Sequence, residues 1–303
     1  MGTKATMTSQ GPRSGYRERT FLNRLSELLS QMLKTRGAGF GLAVVLIVLC
    51  LAVGADLIAP YNPNMPQGSV LLPPSPTFLL GTDHLGRDVL SRIIFGSRVA
   101  VEAGIVSVGS AIAAGVTIGL VAGYWGGWVD NVLMRLVDAI WSFPTLVLAL
   151  AIAFSLGQGL INAMIAISVV FTPAFARLVR GQALSVRERD FVTAARVLGA
   201  GPSRIMLQHI WPNVVGPIIV QSSLMVAQAI IVEAALSFLG LGVEPPQASW
   251  GSMLRSGYQY MERAPGLSLF PGAAIFITVL SLNLLGDGLR LALDPRLRER
   301  GSA

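Results

Sequence analysis

Residues 190–213, DFVTAARVLGAGPSRIMLQHIWPN, form a polar stretch between two long apolar runs. The spacing predicts a short helix over 190–198, which Gly199 and the following two residues end. Pro202 suits the first turn of a second helix, and Pro212 is expected to break the chain before the next apolar run. The stretch therefore predicts two small helices joined by a glycine turn.

Both small helices carry apolar side chains along one face. The first face comprises Phe191, Ala194, Ala195 and Leu198, and the second comprises Ile205, Met206, Ile210 and Trp211. An exposed apolar patch with basic flanks is typical of a protein contact. The alternative is a loop that rests on the membrane surface.

The composition around this loop is that of a membrane protein. Of 303 residues, 52% are hydrophobic and 13% are charged, and the mean hydropathy is +0.62, whereas soluble domains carry roughly a quarter charged residues. Runs long enough to cross a bilayer of about 30 Å predict an all-α polytopic protein with six transmembrane helices. The runs are Phe40–Ile58, Val99–Tyr124, Val129–Leu156, Leu160–Ala176, Val214–Leu239 and Leu267–Gly286.

The basic residues predict the orientation of these spans. The N-terminal tail holds seven lysines and arginines, the loop 177–213 six and the C-terminal tail four, so 17 lie on one side against five on the other. Because basic loops stay in the cytoplasm, both termini and the loop 177–213 are expected there, in a multi-pass cell-membrane protein. Topology also explains the net charge of +7, which leaves no indication of a nucleic-acid partner.

Three regions follow from this topology. Residues 1–38 are predicted to be a cytoplasmic tail whose amphipathic helix lies on the membrane lipids. Residues 39–298 are predicted to be the transmembrane domain, with external loops at 59–98 and 240–266, and residues 299–303 complete the cytoplasmic C-terminus.

Two carboxylates within the spans are candidates for the support of a pore or gate, because charges in lipid must face protein or water. Asp138 has Arg135 one turn earlier, which favours a structural ion pair. Glu233 has no helical partner in the sequence, so it is a candidate for lining or supporting a path. In the second span, small residues recur every fourth position from Ala103 to Gly123, which predicts close helix packing within the chain rather than with another subunit.

The chain lacks the usual residue sets of catalysis. Neither of its two lysines follows a glycine-rich phosphate loop, and its two histidines, His84 and His209, fall on opposite sides of the predicted membrane. No cofactor or metal site and no enzymatic activity are therefore expected on this chain. Any nucleotide would be bound by another subunit.

The loop resembles the "EAA" loop of ABC importer permeases, in which it forms the coupling helices. The resemblance rests on Ala194-Ala195, with Ala195 four residues before Gly199, and on Ile210-Trp211-Pro212, which begins eleven residues beyond that glycine; Thr193 stands where the name of the loop puts glutamate. Three more stretches resemble the C-type permease of the dipeptide, oligopeptide and nickel importers: GTDHLGRDVLSRIIFGSR (81–98), LSFLGLGVEPPQASWGSML (236–254) and GDGLRLALDPRLR (286–298).

The resemblance implies a type I importer fold and a set of partners. These are a homologous permease subunit in a heterodimer, two ATPase subunits that bind ATP and Mg, and an extracytoplasmic substrate-binding protein. It implies ATPase coupling by Ala194, Ala195, Gly199, Pro202, Ile205, Ile210 and Pro212. It places Gly81, Asp83, Gly86, Arg87, Asp88, Arg92 and Trp250 on the face toward the binding protein, although these residues could equally build turns and cap a helix.

The implied cargo is a di- or oligopeptide, and nickel complexes, glutathione or another peptide-like molecule stay open. A secondary transporter would need ion-coupling groups near the bilayer midplane, where most spans lack ionisable residues. A membrane-embedded enzyme is disfavoured by the absent catalytic sets.

Overall fold

The structure is a computed structural model that describes residues 37–293. The amphipathic helix predicted in the N-terminal tail lies outside this range, as does the chain from Asp294 onward. The helices are α1 Ala38–Val53, α2 Ala55–Ile58, α3 Val89–Trp125, α4 Gly127–Trp141, α5 Thr145–Leu156, α6 Leu160–Arg187, α7 Asp190–Val197, α8 Pro202–Arg204, α9 Trp211–Leu239, α10 Trp250–Tyr258 and α11 Gly266–Leu293. Within the described residues, the β-type pairing is a single bridge between Thr82 and Asp88.

All six predicted apolar runs are helical, and they differ in length. Four continuous helices, which contain α3, α6, α9 and α11, are long and apolar enough to cross a membrane, and α4 with α5 makes a fifth span if the pair is counted together. Helix α1 has 16 residues and is therefore about 24 Å long. It packs along α11 and α3, with Gly41 against the backbone at Ser281.

The third run is not the single helix that the sequence suggested. Helices α4 and α5 meet at an angle of 90°, with residues 142–144 between them. Pro144 disfavours helical geometry at Phe143 and has no N–H to donate. The prediction of one span over Val129–Leu156 is therefore corrected to a broken span.

The prediction that Pro212 breaks the chain is also wrong. A helix runs without interruption from Pro202 to Leu239, and Pro212 lies in the first turn of α9. The preceding segment, Ile205–Ile210, is π-helical. Its wider turn gives room to a proline ring that would clash with a carbonyl in a regular α-helix. The second small helix of the loop is thus continuous with the fifth predicted span.

The tightest helix pair is α3 with α6, and it confirms close packing of the small residues within the chain. Ala103 and Ala111 are fully buried. A Cβ added at Gly119 would lie 2.6 Å from the carbonyl oxygen of Ala176, so only glycine allows this approach. This contact fixes α6, which ends at the coupling loop, against the long second span.

Candidate functional site

A cleft of about 740 Å³ opens where the broken span faces α6, α9 and α11. Its wall combines aromatic side chains and carboxamides, among them Trp141, Phe143, Phe171, Gln221, Gln228 and Asn283. Gln221 and Gln228 are seven residues apart and so lie on the same face of α9. None of the described residues that line the cleft carries a formal charge. The lining therefore offers hydrogen bonds, but no formal charge, to a molecule in the cleft.

Asp138 lies beside this cleft, and its partner is Arg177 rather than Arg135. The Arg177 Nη2 donates to Asp138 Oδ1 at 2.7 Å, and the guanidinium lies 4.5 Å from the centre of the Trp141 ring. Because α4 crosses α6 at this point, the nearest base comes from another helix and not from the preceding turn. The prediction of an Arg135 pair is therefore wrong.

A second ion pair joins the same two helices. Arg180 donates through Nε and Nη2 to both carboxylate oxygens of Asp130. This two-bond geometry orients the guanidinium as well as attracting it. Both pairs join α4 to α6, and the two-bond Asp130 pair is the more buried of the two.

Glu233 does not line the cleft. Its side chain is 2% exposed and accepts a hydrogen bond of 2.6 Å from Ser237 Oγ. The same hydroxyl accepts from the backbone N–H of Val243, in the turn after α9. Glu233 is therefore placed to stabilise the C-terminal end of α9 and the turn that follows it.

The predicted outer residues form a buried network at the start of α3. Asp83 Oδ2 lies 2.7 Å from Arg87 Nε and 3.6 Å from Arg92 Nε. Arg92 also donates to the carbonyls of Pro63 and Pro246, and so joins the two loops that are predicted to be external. Asp88 caps α3 by accepting from the backbone N–H of Ser91.

The other outer residues are buried as well. Gly81 and Gly86 lie inside the first outer loop, and Trp250 Nε1 donates to the carbonyl of Ile93. These side chains fold the outer loops, so any docking surface is formed by the residues that cover them.

His84 connects the loop before α3 to the segment after α10 through its ring, a contact that no local pattern in the sequence predicts. It stacks on Tyr260 with 5.5 Å between ring centroids. Partial burial lowers the pKa of His84, Asp83 opposes this shift, and Arg87 and Arg92 add to it. These surroundings therefore favour the neutral imidazole. Among the described residues, no group of three or more His, Cys, Asp or Glu side chains is placed to hold a metal ion.

The coupling loop contains both small helices, but its exposed apolar face differs from the predicted one. Ile205 and Ile210 are fully buried, so the prediction that the second helix presents them is wrong. Because the helix continues into α9, these side chains pack into the core with Val214. Ala195 is also nearly buried, at 9% exposure.

The exposed apolar residues of the loop include Phe191 and Leu198 of the predicted first face, together with Val197 and Leu207. Leu198 is 87% exposed and Val197 83%. Gly199 ends α7 with φ of +83°, a left-handed conformation that favours glycine. Ala194, Pro202 and Pro212 lie at the surface of the loop. Val197 and Leu198, which are consecutive, thus form an exposed apolar patch at the end of α7.

Comparison with known proteins supplies the family. Residues 115–299 match the family described as binding-protein-dependent transport system inner membrane component. The chain belongs to this family. It is 44% identical over 281 residues to a di/tripeptide transport system permease protein, DppC, of Pseudomonas aeruginosa. The alignment covers 90% of this chain and 93% of the relative.

Further relatives of this permease agree on the family. It is 43% identical over 256 residues to a glutathione transport system permease protein, GsiD, of Pectobacterium atrosepticum, with 84% of this chain and 85% of the relative covered. A solved structure of the methionine ABC transporter MetNI in inward-facing conformations aligns with a TM-score of 0.53 and 19% identity, over 66% of this chain and 96% of that chain. The permease is therefore a multi-pass membrane protein with the type I importer fold.

Proposed function

We propose that this permease forms one half of the translocation path of an ATP-driven importer for di- or oligopeptides. The observation that carries the proposal is the 44% identity to a di/tripeptide permease over 90% of the chain. The cleft fits this role, because carboxamide groups can exchange hydrogen bonds with a peptide backbone of any sequence. Glutathione is the second candidate cargo, since a glutathione permease is 43% identical. Membership of a binding-protein-dependent family disfavours a secondary transporter.

Each proposed partner is assigned to one surface of the permease. Two ATPases, which bind ATP and Mg, dock on the apolar patch around Leu198 and on its counterpart in a homologous second permease. The two permeases enclose the path between their clefts, and an extracytoplasmic binding protein delivers the cargo to the outer loops.

The rigid connection between the coupling loop and the fifth span supports the mechanism. Since Pro202–Leu239 is one helix, closure of the ATPases moves α9 directly. Gln221 and Gln228 lie on that helix, so the cleft wall moves with the loop. The path then alternates between inward- and outward-facing states.

Reconstitution tests the proposed function. Proteoliposomes that contain this permease, its second permease, the ATPases and the binding protein should accumulate labelled Ala-Ala when ATP is supplied. Glutathione added in excess tests the second cargo by competition. Uptake that proceeds without ATP, or a complete set that takes up neither peptide, contradicts the proposal.

Cysteine labelling tests the proposed orientation. Ser185 near the end of α6 and Gln259 after α10 are both exposed, and the 17-to-5 distribution of basic residues places them on opposite sides. In a Cys50→Ala background, an impermeant maleimide added outside should modify Gln259→Cys in intact cells and Ser185→Cys only after lysis. Modification of both from outside contradicts a cytoplasmic coupling loop.

A further inference from the structure

The ion pair at the edge of the cleft has unused hydrogen-bonding capacity. The Asp138–Arg177 bond joins one guanidinium nitrogen to one carboxylate oxygen, and the side chains are 60% and 41% exposed. By contrast, Asp130 receives two bonds from Arg180 and its side chain is 13% exposed. The Asp130 pair therefore has the geometry of a structural attachment, whereas the Asp138 pair can accept further partners.

The exposed pair continues two faces of the cleft. Arg177 follows the cleft residue Ala174 by three positions on α6, and Asp138 precedes the cleft residue Trp141 by three positions on α4. Residues three apart share a helix face. The Trp141 ring contacts the guanidinium directly, so the pair adjoins the wall at the end nearer the coupling loop.

We propose that Asp138 and Arg177 bind the ammonium and carboxylate ends of a zwitterionic peptide as it leaves the cleft, an inference that rests on the proposed function. The lining of the cleft offers dipoles but no formal charges. The transfer of a charged peptide end from water to a site without a counter-charge costs free energy. The ion pair is the first place beside the lining where both ends of the peptide meet opposite charges.

Size and strength both fit this role. An extended dipeptide spans about 7 Å, so its ends can reach the free side of the guanidinium and the second carboxylate oxygen together. Exposed ion pairs are weak, so exchange between the internal pair and the peptide costs little in either direction. Weak binding also allows release into the cytoplasm, as conduction requires.

Peptide binding to the assembled transporter without its binding protein tests the inference. The probes are Ala-Ala, which is a zwitterion, and N-acetyl-Ala-Ala-amide, which has no charged ends. Titration calorimetry should give a lower Kd for Ala-Ala. Arg177→Gln and Asp138→Asn should each raise the Kd of Ala-Ala about tenfold, the effect of one charged hydrogen bond, and leave that of the blocked peptide unchanged.

Arg135→Gln is the matched control, because Arg135 is an exposed arginine of α4 that is outside the cleft lining, while Asp138 bonds Arg177 instead. It should change neither Kd. The inference is overturned if the two peptides bind equally well or if neither binds. It is also overturned if Arg135→Gln and Arg177→Gln have equal effects. ATP-driven uptake by the wild-type complex separates the two proposals: if uptake persists, only the role of the ion pair fails, and if no peptide is taken up, the proposed function fails with it.

Discussion

Replacement of Leu198 by aspartate should release the ATPases while the permease stays folded. Leu198 is 87% exposed at the end of α7, so the change removes no packing within the chain. Burial of a leucine in a contact contributes about 1.5–3 kcal/mol, and a carboxylate buried there without a partner costs more. An affinity loss of about a hundredfold or more follows. Co-purification of the ATPases and substrate-stimulated ATP hydrolysis measure it.

Leu85→Asp is the control for this change. Leu85 is also an exposed leucine, at 50%, and it lies in the outer loop, where the proposed topology places no ATPase. Its replacement should leave ATPase co-purification at the wild-type level. If Leu198→Asp retains the ATPases equally well, the apolar patch is not the docking surface.

The sequence predicted the class of this structure because the relevant signals are local. Length and apolarity identify spans, and a glycine between two short helices identifies the loop; Gly199 indeed adopts the left-handed conformation. The exposed face of the loop could not be predicted in the same way. Ile205 and Ile210 point toward the core only because the π-helical segment joins the loop to the fifth span, and that continuity depends on packing against the other helices.

The ion-pair partners of the charged residues could not be predicted from the sequence for a related reason. Helical spacing offers Arg135 as the neighbour of Asp138, but the crossing of α4 over α6 brings Arg177 instead. The cleft arises from the same crossing and from the bend before Pro144. Gln221 and Gln228 did carry a signal, since two carboxamides seven residues apart on an apolar span indicate a polar face.

Asp83→Ala is expected to destabilise the outer half of the permease strongly. Asp83 is the carboxylate beside Arg87 and Arg92, which are 7% and 5% exposed. Its removal leaves two buried guanidinium groups without a counter-charge, and such losses cost about 3–5 kcal/mol. The backbone N–H groups of Leu85 and Arg87 also lose their acceptor. Thermal unfolding of the purified permease, followed by tryptophan fluorescence, should shift down by roughly 10 °C.

Asp56→Ala is the matched control, because Asp56 pairs with Arg98 at the same 2.7 Å but its side chain is 71% exposed. Water can solvate the remaining Arg98 guanidinium after that change, so little stability should be lost. Asp83→Asn should fall between the two, since the amide oxygen still accepts from the backbone while the charge is gone. Equal shifts for Asp83→Ala and Asp56→Ala would contradict the role of the buried network. The expected order instead follows from burial, because the two ion pairs have equal length and differ in the water around them.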